Sequence, residues 1–200
     1  MKITAIKAQI KTEERVSIFV DGKYSFSLSL DQLLQEKIRK NDEIDEIRIK
    51  QLKKLSDEGK LKQRALEWIM GRPHSTRELR DYLYRKKAEK DLTESIIEEF
   101  TIKKYLNDEN FARWFVDLRK RKHKSIREIT YELQSKGVSP VTIQSILMNE
   151  DKDDKEALNL LVNKLSQRSR YQNEQKLKTY LLSKGFSYGD IKEVLESRNI

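Results

Sequence analysis

The stretch SIREITYELQSKGVS, residues 125–139, recurs 48 positions later as NEQKLKTYLLSKGFS, residues 173–187. A shorter match lies 50 positions upstream, where Ser75 and Leu83 stand in the places of Ser125 and Leu133. Self-similarity at a fixed period is the sequence signature of a repeat protein, in which stacked copies share one continuous core. The chain is therefore predicted to contain three copies of one helical unit.

The repeated stretch carries both ends of a helix. Ser75 and Ser125 each stand three residues before a glutamate, which is the spacing of a capping box at a helix start. Gly137 and Gly185 follow a lysine at the other end, where glycine accepts the positive φ of a helix C-cap. The first copy has Lys87 in place of this glycine, so its helix is expected to run on or to end differently.

Each copy is preceded by another helical pattern and followed by a third. The opening helices align around Ala65, Ala112 and Ala157. In this alignment Leu160-Leu161 is equivalent to Phe115-Val116. Glycines, including Gly59, are interpreted as marks of helix junctions, and the helices between them as short. The predicted organisation is a β-rich leader at 1–45, a connecting helix at 46–61, and three-helix repeats at 62–108, 109–150 and 151–200.

The leader has the pattern of a small sheet. Asp21-Gly22 separates two β-prone runs, which is a strong hairpin signal because both turn residues need a positive φ. In residues 24–30 apolar side chains alternate with serines, which predicts one apolar and one wet face. Ile3, Ile6 and Ile10 predict a third strand, and Asp31 is interpreted as the N-cap of a short covering helix.

Taken together, these patterns predict a mainly α fold. Three tandem three-helix repeats form an elongated array, and a small three-stranded leader that contains the hairpin and a short helix precedes them.

Composition narrows the function classes. The chain has 200 residues, a formal net charge of +9 and no cysteine, which excludes disulfides, thiolate metal sites and cysteine nucleophiles. Its first residues lack the apolar core of a secretion signal, and no window reaches the roughly 18 apolar residues of a membrane span. We therefore expect a soluble cytoplasmic protein without membrane contact.

Positive charge is concentrated in the middle of the chain, where residues 119–127 hold six Lys and Arg and no acid. Basic residues recur at the matching position of the other two copies, and stacking would align them into a basic stripe. Such a stripe is suited to phosphates or to the acidic surface of a nucleoprotein. Its predicted members are Arg72, Arg77, Arg113, Arg119, Lys120, Arg121, Lys122, Lys124, Arg127, Lys164, Arg168 and Arg170.

Catalytic and cofactor motifs are missing from the sequence. His74 and His123 are the only histidines, each before a capping serine, and both are interpreted as solvent-facing turn residues. The acidic stretch 150–156 lacks the glycine and the distal glutamate of a calcium loop and is interpreted as a linker. No glycine-rich phosphate loop occurs. We expect no catalytic residues, metal or cofactor, and a nuclease is the least favoured alternative.

Most aromatic residues fall on the apolar stripes of predicted helices, where packing into a core is the default. Trp114 is the exception, since its equivalents Glu67 and Asn159 are polar, and it is predicted to be an exposed contact. The residues assigned to cores are Trp68, Tyr82, Phe111, Phe115, Tyr131 and Tyr180.

The combination of these motifs resembles the RecX family of regulatory proteins. The junction Leu106-Asn107-Asp108-x-x-Phe111-Ala112 is similar to the family's Leu-Asp-Asp-x-x-Phe-Ala, with Asn107 as a departure. The capping serines, the Lys-Gly helix ends and the β-rich leader of the Gram-positive members also match, in the family's order.

The resemblance implies a function that composition and periodicity did not show. It implies a monomeric, non-enzymatic regulator that binds filaments of the RecA recombinase on single-stranded DNA. In the family picture it inhibits ATP hydrolysis and strand exchange, and so affects DNA repair, recombination and the SOS response. The alternative is a stand-alone DNA-binding protein that uses the helical repeats without RecA.

Overall fold

The computed structural model describes residues 1–10, 14–148 and 151–197. The chain divides into two compact units. The first comprises Met1–Met70 and Leu83–Ile96, and the second comprises Gly71–Tyr82 and Ile97–Ile200.

The first unit begins with a three-stranded antiparallel sheet in the order β1-β2-β3. Its strands are β1 (Ile3–Ala8), β2 (Arg15–Val20) and β3 (Lys23–Ser29). Asp21 and Gly22 form the predicted hairpin turn between β2 and β3, with φ of 48° and 80°. This confirms that the turn sequence selects a two-residue connection with two positive φ angles.

Two expectations about the leader are wrong. Ile10 lies beyond the end of β1 and is 99% exposed, so it is not part of a strand. The serine face of β3 is not exposed to solvent at Ser27, which is buried beneath the helix that carries Ser56. There the guanidinium of Arg15 donates to the carbonyl and the hydroxyl of Ser27, and Ser56 Oγ accepts from the Ser27 amide. Alternation in one strand could not show what covers its polar face.

Two helices cover the sheet. Helix α1 (Leu30–Gln35) is capped by Ser29, not by Asp31, and Gln32 completes a capping box with it. The longer α2 (Glu46–Met70) supplies Ile49 and Leu52 to the core beneath the sheet. The predicted boundary between residues 61 and 62 therefore lies within one helix.

The prediction that Gly59 marks a helix junction is wrong, because this residue lies inside α2. A Cβ at this position would approach the side-chain amide of Gln32 to 2.7 Å. That amide donates to the carbonyl of Leu55 in the same helix. The glycine therefore leaves room for a polar contact between α1 and α2 rather than ending a helix.

The rest of the chain is helical, as predicted, and forms three successive three-helix repeats. The first repeat begins with the end of α2, the second with α5 and the third with α8. Within the described ranges, no helix is long and apolar enough to cross a membrane. The helices are α3 (Thr76–Arg85), α4 (Lys90–Ile102), α5 (Asp108–Lys120), α6 (Ile126–Ser135), α7 (Pro140–Leu147), α8 (Asp151–Ser166), α9 (Glu174–Ser183) and α10 (Tyr188–Glu196).

The second and third repeats each enclose a core of their own. Phe111, Ala112, Phe115 and Val116 of α5 pack with apolar residues of α6 and α7. In the third repeat the buried positions of α8 include Leu158 and Val162, whereas Leu160 is exposed. The predicted alignment of Leu160-Leu161 with Phe115-Val116 is therefore wrong by one residue, which corresponds to about 100° around a helix.

The middle helix of all three repeats ends in the same way. After α6 and α9, Gly137 and Gly185 take φ of 82° and 88°, which confirms their predicted role. After α3, Lys87 takes the same left-handed conformation with φ of 59°. Its amide bonds the carbonyl of Tyr84, and the amide of Ala88 bonds that of Leu83, as in the other copies. The expectation that this helix ends differently is wrong, because the hydrogen bonds of the motif outweigh the strain on one lysine.

The strain at Lys87 gives a first prediction. Lys87→Gly should raise the free energy of unfolding by about 1 kcal/mol, because glycine accepts a positive φ without a clash of Cβ. Lys87→Ala is the matched control, since it removes the same exposed side chain but keeps Cβ. Urea denaturation of the three proteins measures the difference, and equal midpoints for the glycine and alanine variants would contradict the prediction.

Candidate basic interaction surface

Consecutive repeats are joined by a buried serine. Ser75 begins α3, and its hydroxyl accepts the amide hydrogen of Glu78 at 3.1 Å. The same hydroxyl donates to the carbonyl of Lys136, at the end of α6 in the next repeat, at 2.8 Å. Beside it, the carboxylate of Asp108 accepts from the amide of Thr76 at 2.7 Å. We call this set the first junction.

The second junction repeats the first with equivalent residues. The hydroxyl of Ser125 accepts from the amide of Glu128 and donates to the carbonyl of Lys184 at 2.6 Å. The carboxylate of Asp154 accepts from the amide of Ile126 at 2.7 Å. Both serines are fully buried, and each hydroxyl satisfies one unpaired group at a helix start and one at a helix end.

The junctions also explain the Lys-Gly motif. A Cβ on Gly137 would lie 2.8 Å from Cβ of Arg77, and one on Gly185 would lie 2.8 Å from Oγ of Ser125. Glycine is therefore required twice at these positions, once by the positive φ and once by the close approach of the preceding repeat. The sequence indicated only the first of these reasons.

Glu78 and Glu128, each three residues after a capping serine, hold cations at the junctions. Glu78 accepts from Arg72 at 3.0 Å and from Lys136 at 2.8 Å. Burial raises the pKa of Glu78, but the hydrogen bonds and the positive charges of Lys136 and Arg72 together lower it by more, so the net pKa is below its ordinary value. The charged form of this carboxylate is therefore favoured in the folded protein.

Two members of the basic run at residues 119–127 also pair with a partly buried glutamate. Arg119 and Lys124 are only 23% and 25% exposed, and both donate to Glu132 of α6. Lys124 also pairs with Glu128 at 2.8 Å, and the guanidinium of Arg119 lies 4.4 Å from the ring centre of Phe115. Burial raises the pKa of Glu132, and the two cations lower it by more. The carboxylates that neutralise this run come from the following helix.

The predicted stripe therefore separates into two groups. Arg72, Arg113, Arg119 and Lys124 pair with carboxylates. Lys120 also has a partner, and Arg170 lies over the ring of Tyr171. The remaining members are exposed and form no ion pair with any residue that the structure describes: Arg77, Arg121, Lys122, Arg127, Lys164 and Arg168.

Three other sequence interpretations change at this surface. His74 is 5% exposed rather than solvent-facing, and its Nδ1 donates to the carbonyl of Arg72. Trp114 is half-buried beside Phe111, and the guanidinium of Arg72 lies 5.2 Å from its ring centre. The residues from Asp151 onward open α8 rather than form a linker, and Glu150 lies outside the described residues.

Sequence reasoning missed the roles of Asp108 and Asp154. Asp108 stands at the first position of α5, where an acidic residue is expected for the helix dipole alone. Asp154 lies in an acidic stretch in which no position stands out. The available signal was the recurrence of an aspartate four residues before a buried small or apolar residue, Ala112 or Leu158.

Family models match four successive parts of the chain. The RecX N-terminal domain matches residues 1–45, and the first, second and third three-helix domains of RecX match residues 62–100, 107–147 and 153–195. Curated relatives named Regulatory protein RecX match along nearly the whole chain. That of Bacillus pumilus (strain SAFR-032) is 35% identical over 200 residues, which cover 97% of this chain and 76% of the relative. That of Clostridium botulinum (strain Eklund 17B / Type B) is 31% identical, with 98% and 95% covered.

Solved structures of the same name share the fold. A crystal structure of regulatory protein RecX superposes with a TM-score of 0.76 at 24% identity and covers 98% of both chains. A crystal structure of RecX from Lactobacillus salivarius gives a TM-score of 0.58 at 26% identity, with 70% of this chain and 96% of the other covered.

The buried serine gives a stability prediction. Ser125→Ala should lower the free energy of unfolding by about 2–4 kcal/mol, because it removes a helix cap and leaves the carbonyl of Lys184 without its donor. Ser139→Ala is the matched control, since Ser139 caps α7 at an exposed site and its loss should cost about 1 kcal/mol. Chemical denaturation of both variants measures the difference, and equal losses would contradict a role in joining repeats.

The paired glutamates give a pH prediction. The folded-state pKa of Glu132 lies below its unfolded value. Its contribution to the free energy of unfolding is therefore complete at neutral pH and is lost as pH falls through about 4 and below. Glu132→Gln should therefore be less stable than the parent at pH 7, and the difference should shrink as pH falls below about 4. Glu196→Gln is the control, because Glu196 forms only an exposed surface pair. A difference that persists at acid pH would show that the charge is not the cause.

Proposed function

The chain belongs to the RecX family of regulatory proteins, and from this membership we propose that it binds RecA filaments on single-stranded DNA in the cytoplasm. The observation that carries the proposal is the match of all four RecX parts in chain order. Bound along the filament as a monomer, the protein lowers RecA's ATP hydrolysis and strand exchange, and thereby restrains recombination, DNA repair and the SOS response. It acts by occupying a surface and carries out no reaction of its own.

The exposed cations support this mode of binding. Arg77 and Arg127 lie in the first turns of α3 and α6, beside the first and second junctions. Arg121 and Lys122 follow the end of α5, and both are exposed. Because these cations lie near helix ends in successive repeats and are already exposed, the folded protein can present them to an acidic, DNA-containing filament.

The paired cations are unsuitable contacts. Arg119 and Lys124 already hold Glu132, and replacing both with glutamate would leave that half-buried carboxylate among like charges without a partner. A reversal of charge at Arg119 and Lys124 is therefore expected to disturb the packing of α6 as well as the surface charge in residues 119–124. Within that run, the filament contacts are proposed to be Arg121 and Lys122.

A charge reversal tests this proposal. Arg121→Glu with Lys122→Glu should weaken binding to RecA on single-stranded DNA at least tenfold and relieve the inhibition of ATP hydrolysis, because two attractions become repulsions. Lys50→Glu with Lys53→Glu is the matched control, since it changes the charge by the same amount on the exposed side of α2. Co-sedimentation and ATP turnover are measured with stoichiometric protein.

Two outcomes separate the parts of the proposal. If the parent protein neither co-sediments with RecA filaments nor changes their ATP turnover, the proposed function is wrong. If the parent inhibits and the Arg121→Glu/Lys122→Glu variant inhibits equally well, the family function holds and these residues are not the contact.

A further inference from the structure

Two adjoining depressions form a groove on the surface of the second unit. The first, with a volume of about 460 Å³, is lined by Tyr171 and Tyr180 together with Arg170 and Lys176. The second, of about 360 Å³, is lined by Arg127, Tyr131 and Lys184. Ser183 lines both depressions, so they adjoin at this residue. Each is large enough for a group of nucleotide size.

Three tyrosines contribute rings to this groove. Tyr131 is 73% exposed on α6, which corrects its assignment to a core. Tyr171 and Tyr180 pack on one side against the core of the third repeat and are half-buried, with their ring centres 5.0 Å apart. The rings therefore combine a supported inner edge with an outer surface that lines the groove.

The charge of the groove is strongly positive. Arg127, Arg170, Lys176 and Lys184 line or border it, and Glu128 is the only carboxylate among the described lining residues. Glu128 is already bonded to Lys124 at 2.8 Å and lies 4.0 Å from Lys184. Lys184 and Arg170 also lie over the rings of Tyr180 and Tyr171, at 5.6 and 5.8 Å from their centres. A ligand in the groove therefore meets cations and aromatic rings side by side.

We infer that this groove binds single-stranded DNA directly, with bases stacked on the tyrosines and phosphates paired with the four cations. Sequence-independent recognition of single strands uses this combination of aromatic rings and a basic track, because every base has a face that can stack. A duplex keeps its bases within the helix and offers only phosphates. The inference deepens the proposed function, because it assigns the contact to the DNA rather than to the protein of the filament.

Binding to oligo(dT) in the absence of RecA tests the inference. Fluorescence anisotropy is measured with the full chain and labelled oligo(dT), an abasic oligonucleotide of the same length, and the corresponding duplex. Tyr131→Ala should weaken binding to oligo(dT) by roughly 5- to 100-fold and leave binding to the abasic strand unchanged, since only the stacking contribution is removed. Tyr131 is exposed, so an unchanged melting curve is expected and is measured alongside.

The cations have a separate signature. With four phosphates neutralised, affinity for oligo(dT) should fall about 50-fold between 50 and 200 mM salt, and the double variant Arg127→Ala/Lys176→Ala should reduce the logarithmic salt slope by about 1.4. Tyr84→Ala and Arg85→Ala are the matched controls, because both residues are exposed and neither lines the groove. Both controls should bind like the parent.

Several results would overturn the inference. These are absence of oligo(dT) binding at low salt, a preference for duplex, equal weakening of oligo(dT) and abasic binding by Tyr131→Ala, and displacement of oligo(dT) by polyglutamate as readily as by unlabelled oligo(dT). The RecA assays decide the proposed function independently. If Tyr131→Ala selectively loses affinity for oligo(dT) and still inhibits RecA, the groove is supported and inhibition depends on another surface.

Discussion

The hydrogen bond between a capping serine and the carbonyl at the end of the middle helix of the next repeat is the contact on which the described arrangement of repeats depends. Ser75 and Ser125 each bridge a helix start to a helix end in the next copy. Both serines are fully buried, so the loss of either hydroxyl would remove two hydrogen bonds at a buried site. This burial favours serine over a larger capping residue, and at the second junction Gly185 leaves the space that Ser125 occupies. Asn173, the equivalent in the third repeat, is exposed and caps only its own helix.

The same junctions divide the basic residues into two kinds. Carboxylates of Glu78 and Glu132 draw some cations into half-buried pairs, and these pairs stabilise the repeats at neutral pH. The cations that remain exposed are available for an acidic partner or for phosphates. A basic run in the sequence therefore overstates the size of the interaction surface, because it shows none of the carboxylates that arrive from another helix. The basic run also fails to show where cations lie beside aromatic rings, as Lys184 and Tyr131 do in the lining of one depression.

Features set by neighbouring residues could be predicted. The Asp21-Gly22 turn, the positive φ at Gly137 and Gly185, and the serine caps all follow from local backbone conformation. Predictions failed where the deciding contact comes from far along the chain. Ser27 is buried because α2 covers it, and His74 is buried although its turn looks polar. Alignment of the opening helices was wrong by one residue, since α8 has several adjacent apolar positions and only packing selects among them.

The sequence by itself determined the repeat, its helices, the hairpin leader and the family resemblance, because these depend on periodicity and on capping signals within a few residues of each other. Only the tertiary structure decided which serines are buried, which cations are neutralised and which tyrosines line a groove. Hydrogen bonds, ion pairs and burial join residues that lie up to about 60 positions apart, such as Ser75 and Lys136. The partners of such contacts are set by how whole helices pack, and no local pattern encodes that choice.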